Sequence, residues 1–583
     1  MDPFDDEDEQ TKLAIAISLQ ESPNSTIPTA AEELQYANSE ALPKETTEKS
    51  VMTATGNAKP DFKQMHLERL ARHEARKVEI MKNKRQRSIS PPPIKRHAPA
   101  SSDRELKRQK PNSAPEVIDL DADTRAQSRQ KCSVATPPAT LSSASTEARK
   151  SALEYPLGAV RKTWAFRHAR SNDIKIQEVL QKSTLNIAVL SAFDWDIEWL
   201  LRKFEFPRTK LILVMQAKGK AEQDQHREDA KGLTNIKLCF PDMSGQINCM
   251  HSKLMLLFHP THLRVVVPTA NLNSYDWGET GIMENSVFLI DLPRRSSEDA
   301  DMQLTPFAKE LFHFVQAKGL PEDVLEGLKN FDYSKTSHIA FVHTIGGSHH
   351  GEDLKRTGIP GLSRAVRSLN LQTDNLEVDF TASSIGSLND AFLKNLYFGA
   401  KGEAPAKIIA RDVPKSFRNK FRIYFPLHET VLKTIGGIDN AGTNCLQASY
   451  YNNSRFPKEC MHDYKSIRTG LLSHNKILFA RGQRVSKDGH STNVAWAYVG
   501  SANVSESAWG KLLMDRSKKA EKLNCRNWEC GVLIAIPPEK LDAFKTLEGL
   551  VPMNVFAGHV DVPFEYPGEK YGAKKPWFFM ERH

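Results

Sequence analysis

The feature that most constrains this chain is that it carries one pattern twice. His251-Ser-Lys253 leads into the apolar run Leu254–Phe258, and Val267-Pro-Thr-Ala-Asn271 is followed by Trp277-Gly278. His474-Asn-Lys476 leads into Ile477-Leu-Phe479, and Val499-Gly-Ser-Ala-Asn503 is followed by Trp509-Gly510. Each copy therefore holds H-x-K, an apolar run, Thr/Ser-Ala-Asn, and Trp-Gly six residues beyond the Asn. Among 19 histidines only these two begin an H-x-K. A single copy would be weak, since composition alone gives about one; two copies with the same downstream pattern are not explained by chance. The chain thus needs two similar substructures, and 583 residues suffice, because single cores rarely exceed about 250–300 residues.

Hydrophobic patterning agrees. Residues 187–193, 211–215, 263–267 and 287–291 read as strands, as do 478–480, 494–499 and 531–535. Continuous apolar runs of this length suit strands covered on both faces. Residues 196–202 and 306–318 read as helices between them. The expectation is an α/β protein: a disordered regulatory and targeting tail over 1–150, then two similar domains over 157–345 and 346–583, related by a pseudo-twofold axis.

The repeated residues have a chemical sense. In extended chain, residues i and i+2 share a face, so His251 and Lys253 converge on one group, as do His474 and Lys476. Brought together, two imidazoles and two ammonium groups suit a tetrahedral phosphoryl group, whose non-bridging charge the lysines neutralise without a metal or other cofactor. Asn271 and Asn503 add amide donors that do not titrate. A lone His or Asn at a strand end is ordinarily structural; paired repetition favours function.

Composition bounds the partners. Lys and Arg number 80 against 71 Asp and Glu, a net +9 that permits a polyanionic partner without requiring one. Between Lys82 and Lys110 lie ten basic residues and only Asp103 and Glu105 as acids, a Ser/Pro-rich setting that predicts nuclear import. Residues 5–22 join an acidic cluster to a helical stripe of Leu13, Ala14, Ile17 and Ser18, resembling a ubiquitin-interacting motif. Val117-Ile-Asp-Leu120, with Asp121 and Asp123, resembles a segment that adds a strand to a ubiquitin-like modifier. Seven scattered cysteines form neither a disulfide framework nor a zinc site. The acidic start offers no apolar leader, and no apolar stretch reaches about 18 residues, so neither secretion nor a membrane is expected.

The two units resemble the phospholipase D superfamily, and within it the tyrosyl-DNA phosphodiesterases. The likeness extends over 157–583, including Ser191-Ala-Phe-Asp-Trp-Asp, Ser383-Ser-Ile-Gly-Ser-Leu388 and Asn527-Trp-Glu529. Many other superfamily members carry an Asp soon after H-x-K; here those positions are Phe258 and Arg481. The resemblance implies a nuclear, metal-independent phosphodiesterase acting on single-stranded or duplex DNA 3′ ends, including topoisomerase I peptide adducts. It makes His251 the nucleophile and His474 the general acid and then base, with Lys253, Lys476, Asn271 and Asn503 around the phosphate and Glu529 orienting His474. It also places Ser383, Ser384 and Ser387 along the bound strand. The family's glutamine after the first Trp-Gly has no match in Gly278-Glu-Thr-Gly-Ile-Met-Glu284, which leaves the partner of His251 open among Glu279, Thr280 and Glu284. A phosphatidyl-hydrolysing enzyme, a general nuclease and a non-catalytic DNA-end binder are the competing readings. Intact His and Lys in both copies weigh against the last.

Overall fold

The computed structural model describes residues 153–206, 208–296, 304–410, 415–515, 517–544 and 549–579. The signals at 5–22, 82–110 and 117–123 lie outside the described residues.

Each half builds a mixed sheet. In the first the order is Asp173–Ile174, Ala159–Thr163, Ser286–Pro293, His262–Pro268, Leu254–Phe258, Ile187–Ser191, Lys210–Val214 and Ile236–Cys239. In the second it is Ile339–Thr344, Asn527–Ala535, Ser491–Gly500, Ile477–Val485, Asn375–Thr381, Phe421–Phe425 and Met461–Asp463, with Cys249–Met250 added beside Asn527–Ala535. The strands alternate strictly in what they bury. Leu254, Leu256, Val265 and Val267 share one core with Ile477, Phe479, Ala497, Val499 and Val532 of the second sheet. Met255, Leu257 and Val266 pack outward with Val179, Leu180 and Leu200 of the helices Ile176–Leu180 and Ile197–Leu201. Leu478, Trp496 and Tyr498 pack outward with Ile359, Leu362, Phe392 and Leu396 of Gly358–Ser368 and Asp390–Ala400. Two helix-backed sheets thus share an inner core, which is why their strands read as unbroken apolar runs. Each fully buried Leu, Val or Phe contributes about 1.5–3 kcal/mol relative to exposure, so the shared core strongly resists separation of the halves.

The expected division at 345 is displaced. Ile339–Thr344, counted with the first domain, pairs antiparallel with Asn527–Ala535 as the outer strand of the second sheet. A linear cut cannot see strand exchange, and the halves exchange strands at the site itself.

Candidate active site

The two H-x-K segments stand where the chain changes sheets. Cys249–Met250 runs parallel to the start of Asn527–Ala535, with Cys249 opposite Asn527 and Met250 opposite Trp528. Leu254–Phe258 then lies inside the first sheet. The second copy crosses the other way: Leu472–Ser473 pairs with Met283–Glu284 of the first half before Ile477–Val485 enters its own sheet. This reciprocal exchange carries each histidine to the edge of the opposite half.

There each imidazole meets a buried carboxylate. His251 Nδ1 lies 2.8 Å from Glu529 Oε2, and His474 Nδ1 lies 3.0 Å from Asp276 Oδ2. A carboxylate accepting from Nδ1–H leaves the Nε2 lone pair for chemistry. Lys253 Nζ is 3.4 Å from His251 Nε2 and donates to His251 O at 3.0 Å. Lys476 Nζ donates to His474 O at 2.6 Å. Both lysines are fully buried. Burial pushes both ammonium groups down, and at Lys476 the charge of Lys253 adds to it, carrying that group well below the usual range; Asp276 and Glu529 oppose the shift. Burial also pushes both imidazoles down, His474 to about 3 against the charge of Asp276. Asp276, which burial alone would raise, is held at about 2 chiefly by His474 and Lys476. Two desolvated cations facing each other would be relieved by an arriving anion.

The asparagines are fixed in matching ways. Asn271 Oδ1 accepts from Asp194 N at 3.4 Å, and Asn503 Oδ1 from Ser384 N at 3.1 Å, so the amide NH2 is what each has left to offer. Trp277 is buried beneath the first copy, its Nε1 donating to Asn271 O at 2.9 Å, and Trp509 is buried beneath the second.

Three expectations change. Glu529 holds His251, not His474, because the register of Cys249–Met250 against Asn527–Trp528 puts the two side by side. None of the three residues considered for His251 reaches it. Glu279 binds Lys203 Nζ at 2.6 Å and Trp199 Nε1 at 2.7 Å, Glu284 binds Tyr464 Oη at 2.8 Å and Arg468 Nε at 2.9 Å, and Thr280 is exposed. Ser383 is only 1% exposed and its hydroxyl donates to Asn503 Oδ1 at 3.3 Å, so it supports the amide; Ser384 and Ser387 remain partly open. The positions that carry Asp elsewhere hold Phe258 in the shared core and Arg481 paired to Asp379 at 2.9 Å.

Asp276 was missed. It sits five residues after Asn271, where the second copy has Ala508, and accepts Asn271 N at 2.6 Å as well as His474. Its signal in the sequence is a difference between the repeats, Asp276 against Ala508, which likeness between them does not reveal. Phe193, whose ring centroid lies 5.4 Å from that of His251, and Ser501, which donates to Glu529 Oε2 at 2.5 Å, were also missed. Among the described residues no cluster of three His, Cys, Asp or Glu is placed to hold a metal, and no helix is long and apolar enough to cross a membrane.

The family model for tyrosyl-DNA phosphodiesterase matches residues 159–572, which includes every residue of this site. The chain belongs to the tyrosyl-DNA phosphodiesterase family. Among relatives of this family, tyrosyl-DNA phosphodiesterase 1 of Arabidopsis thaliana is 24% identical over 391 residues, covering 64% of this chain and 60% of that protein. The Drosophila melanogaster tyrosyl-DNA phosphodiesterase 1 is 25% identical over 440 residues, 71% of each chain. The crystal structure of yeast tyrosyl-DNA phosphodiesterase shares the fold at a TM-score of 0.52 and 17% identity, over 73% of this chain and all of that one.

Proposed function

We propose that this tyrosyl-DNA phosphodiesterase family member hydrolyses the phosphodiester between a DNA 3′ end and a tyrosyl group through a phosphohistidine on His251. The observation that carries the reading is the reciprocal crossing of two His–Lys pairs, each imidazole tied through Nδ1 to a buried carboxylate. Neutral His251 Nε2 attacks phosphorus, the P–O bond to the tyrosyl oxygen breaks, and His474 gives that oxygen a proton. His474 then takes a proton from water, the water oxygen bonds to phosphorus, and the P–N bond breaks, leaving a 3′-phosphate and free His251. Burial keeps His251 in the neutral form an attacking nitrogen needs. The incoming phosphodiester anion, by opposing the lysine charges, raises the proton affinity of His474 for its donor role. Lys253 and Lys476 neutralise the non-bridging oxygens, and Asn271 and Asn503 donate to them.

Ser384 and Ser387 are assigned to the phosphates of the bound strand. Protein-linked substrates of the topoisomerase I type fit the same chemistry, and the basic clusters of 82–110 supply nuclear import. Residues 5–22 and 117–123 are assigned to ubiquitin and a ubiquitin-like modifier. Removal of 1–140 should leave turnover of a small DNA substrate within a few fold while weakening nuclear accumulation and modifier binding; loss of turnover in a folded truncation would reject that boundary.

The direct test is single-stranded DNA bearing a 3′-phosphotyrosine, incubated with the full chain in excess chelator beside an internally labelled unmodified strand and phosphatidylcholine. Tyrosine and a 3′-phosphate are expected. Internal cuts or lipid hydrolysis without tyrosine release would reject the reading.

A further inference from the structure

Beyond the two large sheets stands a small antiparallel one, ordered Gly347–His349, Ala520–Cys525 and Lys511–Asp515. Its position follows from strand direction. Ile339–Thr344 runs toward the site, where Thr344 lies opposite Glu529, and the chain continues into Gly347–His349. Ala520–Cys525 runs back into Asn527–Ala535, whose first residues include Glu529. The small sheet therefore extends past the second sheet at the end that holds Glu529 and His251. Its base rests on the residues preceding the nucleophile: Asn248 N donates to Arg526 O at 2.6 Å, and Gly346 packs so closely on Ile247 that a Cβ would come within 2.9 Å of it.

One face of the hairpin is anchored by buried Leu512 and Leu523. The other carries Lys511 and Leu513 paired with Asn524 and Lys522, and Lys518 and Lys519 are exposed at the turn. From Lys511 to Arg526 there are six basic residues against Asp515 and Glu521, a net +4 where the entire chain has +9. Asp515 is engaged with the turn, accepting from Ser517 N at 2.9 Å, Ser517 Oγ at 2.6 Å and Lys518 N at 3.2 Å. With about 3.3 Å of rise per residue, the turn stands roughly 13 Å or more from the hairpin base. A tyrosyl leaving group offers no charge at that distance, whereas a DNA strand presents one negative charge about every 3.4 Å.

We propose that this hairpin is a wall of the DNA path, holding backbone phosphates of the substrate strand several nucleotides from the scissile one. The proposal rests on the phosphodiesterase reading above and adds to it a surface that sets substrate length preference. Lysines on an exposed edge strand also discourage edge-to-edge pairing, but charge of either sign serves that purpose. Charge reversal therefore separates the two roles.

The test is the triple variant Lys518→Glu/Lys519→Glu/Lys522→Glu in the full chain, with an unchanged melting profile. It is assayed against wild type on 3′-phosphotyrosyl DNA of about four and about twenty nucleotides over a salt series. KM on the long strand should rise about tenfold or more with kcat within twofold, the short strand should be unaffected, and the slope of log(kcat/KM) against log salt should flatten by about 2. Equal KM and slope in both proteins, or equal loss on both lengths, would overturn it. Loss confined to substrates carrying a longer peptide in place of tyrosine would assign the surface to protein instead. Should wild type release no tyrosine, the activity reading fails independently. The hairpin is then judged by fluorescence anisotropy on unmodified twenty-nucleotide single-stranded DNA, where at least about tenfold weaker binding by the variant is expected and equal binding overturns the proposal.

Discussion

In the C-terminal half the carboxylate against an active-site imidazole rides on a strand, Glu529 of Asn527–Ala535; in the N-terminal half it comes from a loop, Asp276. The surrounding bonds show which positions correspond. Ser501 Oγ donates to Glu529 and accepts Cys530 N at 2.9 Å; Thr269 Oγ1 donates to Asn285 Oδ1 at 2.7 Å and accepts Ser286 N at 3.0 Å. Asn285 thus occupies the place that Glu529 holds in the other copy, and its amide donates to Asp276 O at 2.9 Å. A second buried carboxylate there would face Asp276, and like charges at such range raise one another's pKa strongly. The two His–Lys pairs are alike, and their supports differ. The two histidines are equal in sequence and unequal in surroundings, which is the condition for unequal duties.

The largest effects should separate those duties. His251→Ala is expected to lower turnover by at least about 10⁴-fold with no protein–DNA adduct. His474→Asn should slow turnover by about 10²–10⁴-fold while accumulating an adduct on His251, because a tyrosyl oxygen leaves more readily than water attacks. Denaturing gels with 5′-labelled DNA and mass spectrometry of the adduct decide this; an adduct on His474 would reverse the assignment.

Lys253→Met and Lys476→Met probe whether the pairs still act alike. Each should reduce kcat by about 10²–10³-fold, the usual cost of one charge-stabilising donor. A loss confined to one variant would extend the asymmetry to the lysines.

The carboxylates sharpen the comparison further. Asp276→Asn should slow turnover by about 10²-fold and accumulate adduct, as a weaker His474 substitution would; Glu529→Gln should slow formation of the adduct and leave its hydrolysis much less changed. Rapid-quench measurement of the two steps distinguishes this from a general structural loss, which would slow both. Equal effects on both steps from either variant would dissolve the distinction.

The smallest effect concerns a carboxylate that joins the halves without serving chemistry. Glu310, on the helix Pro306–Ala317, accepts from His343 Nε2 at 3.1 Å and from Arg356 Nε at 3.1 Å. Burial would raise its pKa, but His343 and Arg356 hold it near 2, below its ordinary 4.5. Burial pushes His343 itself down, so at neutral pH it acts as a neutral donor, and Arg356 together with Arg364, which lies 3.4 Å from Glu310 Oε1, supplies the charge. A depressed carboxylate stabilises the fold above its unfolded pKa, and that contribution is lost as pH falls through the folded value. Glu310→Gln should therefore cost about 1–3 kcal/mol at pH 7 in urea unfolding, with the gap to wild type closing between about pH 4.5 and 2 and kcat unaltered.

Much of this was legible in the chain. The repeats marked His251, Lys253, His474 and Lys476, and unbroken apolar runs such as 211–215 and 494–499 indicated doubly covered strands, because side-chain chemistry and hydrophobic period are local properties. The partner of His251 was not legible: Glu529 is 278 residues away, and only strand register joins them. Asp276 was hidden for a related reason, since its importance depends on His474, 198 residues distant. Ser383 looked available to a ligand because sequence shows a hydroxyl and not its burial.

The sequence by itself determined that there are two like units, that both bury extended strands, and that each presents an imidazole with an ammonium group two residues away. Only the tertiary structure decided which carboxylate serves which histidine and that Asn285 stands where a second acid would have been. It also decided that a basic hairpin extends from the end of the second sheet that holds Glu529. Periodicity and residue type are carried by neighbours along the chain, whereas these decisions depend on which strands exchange between halves, and that is settled by packing two sheets around one shared core.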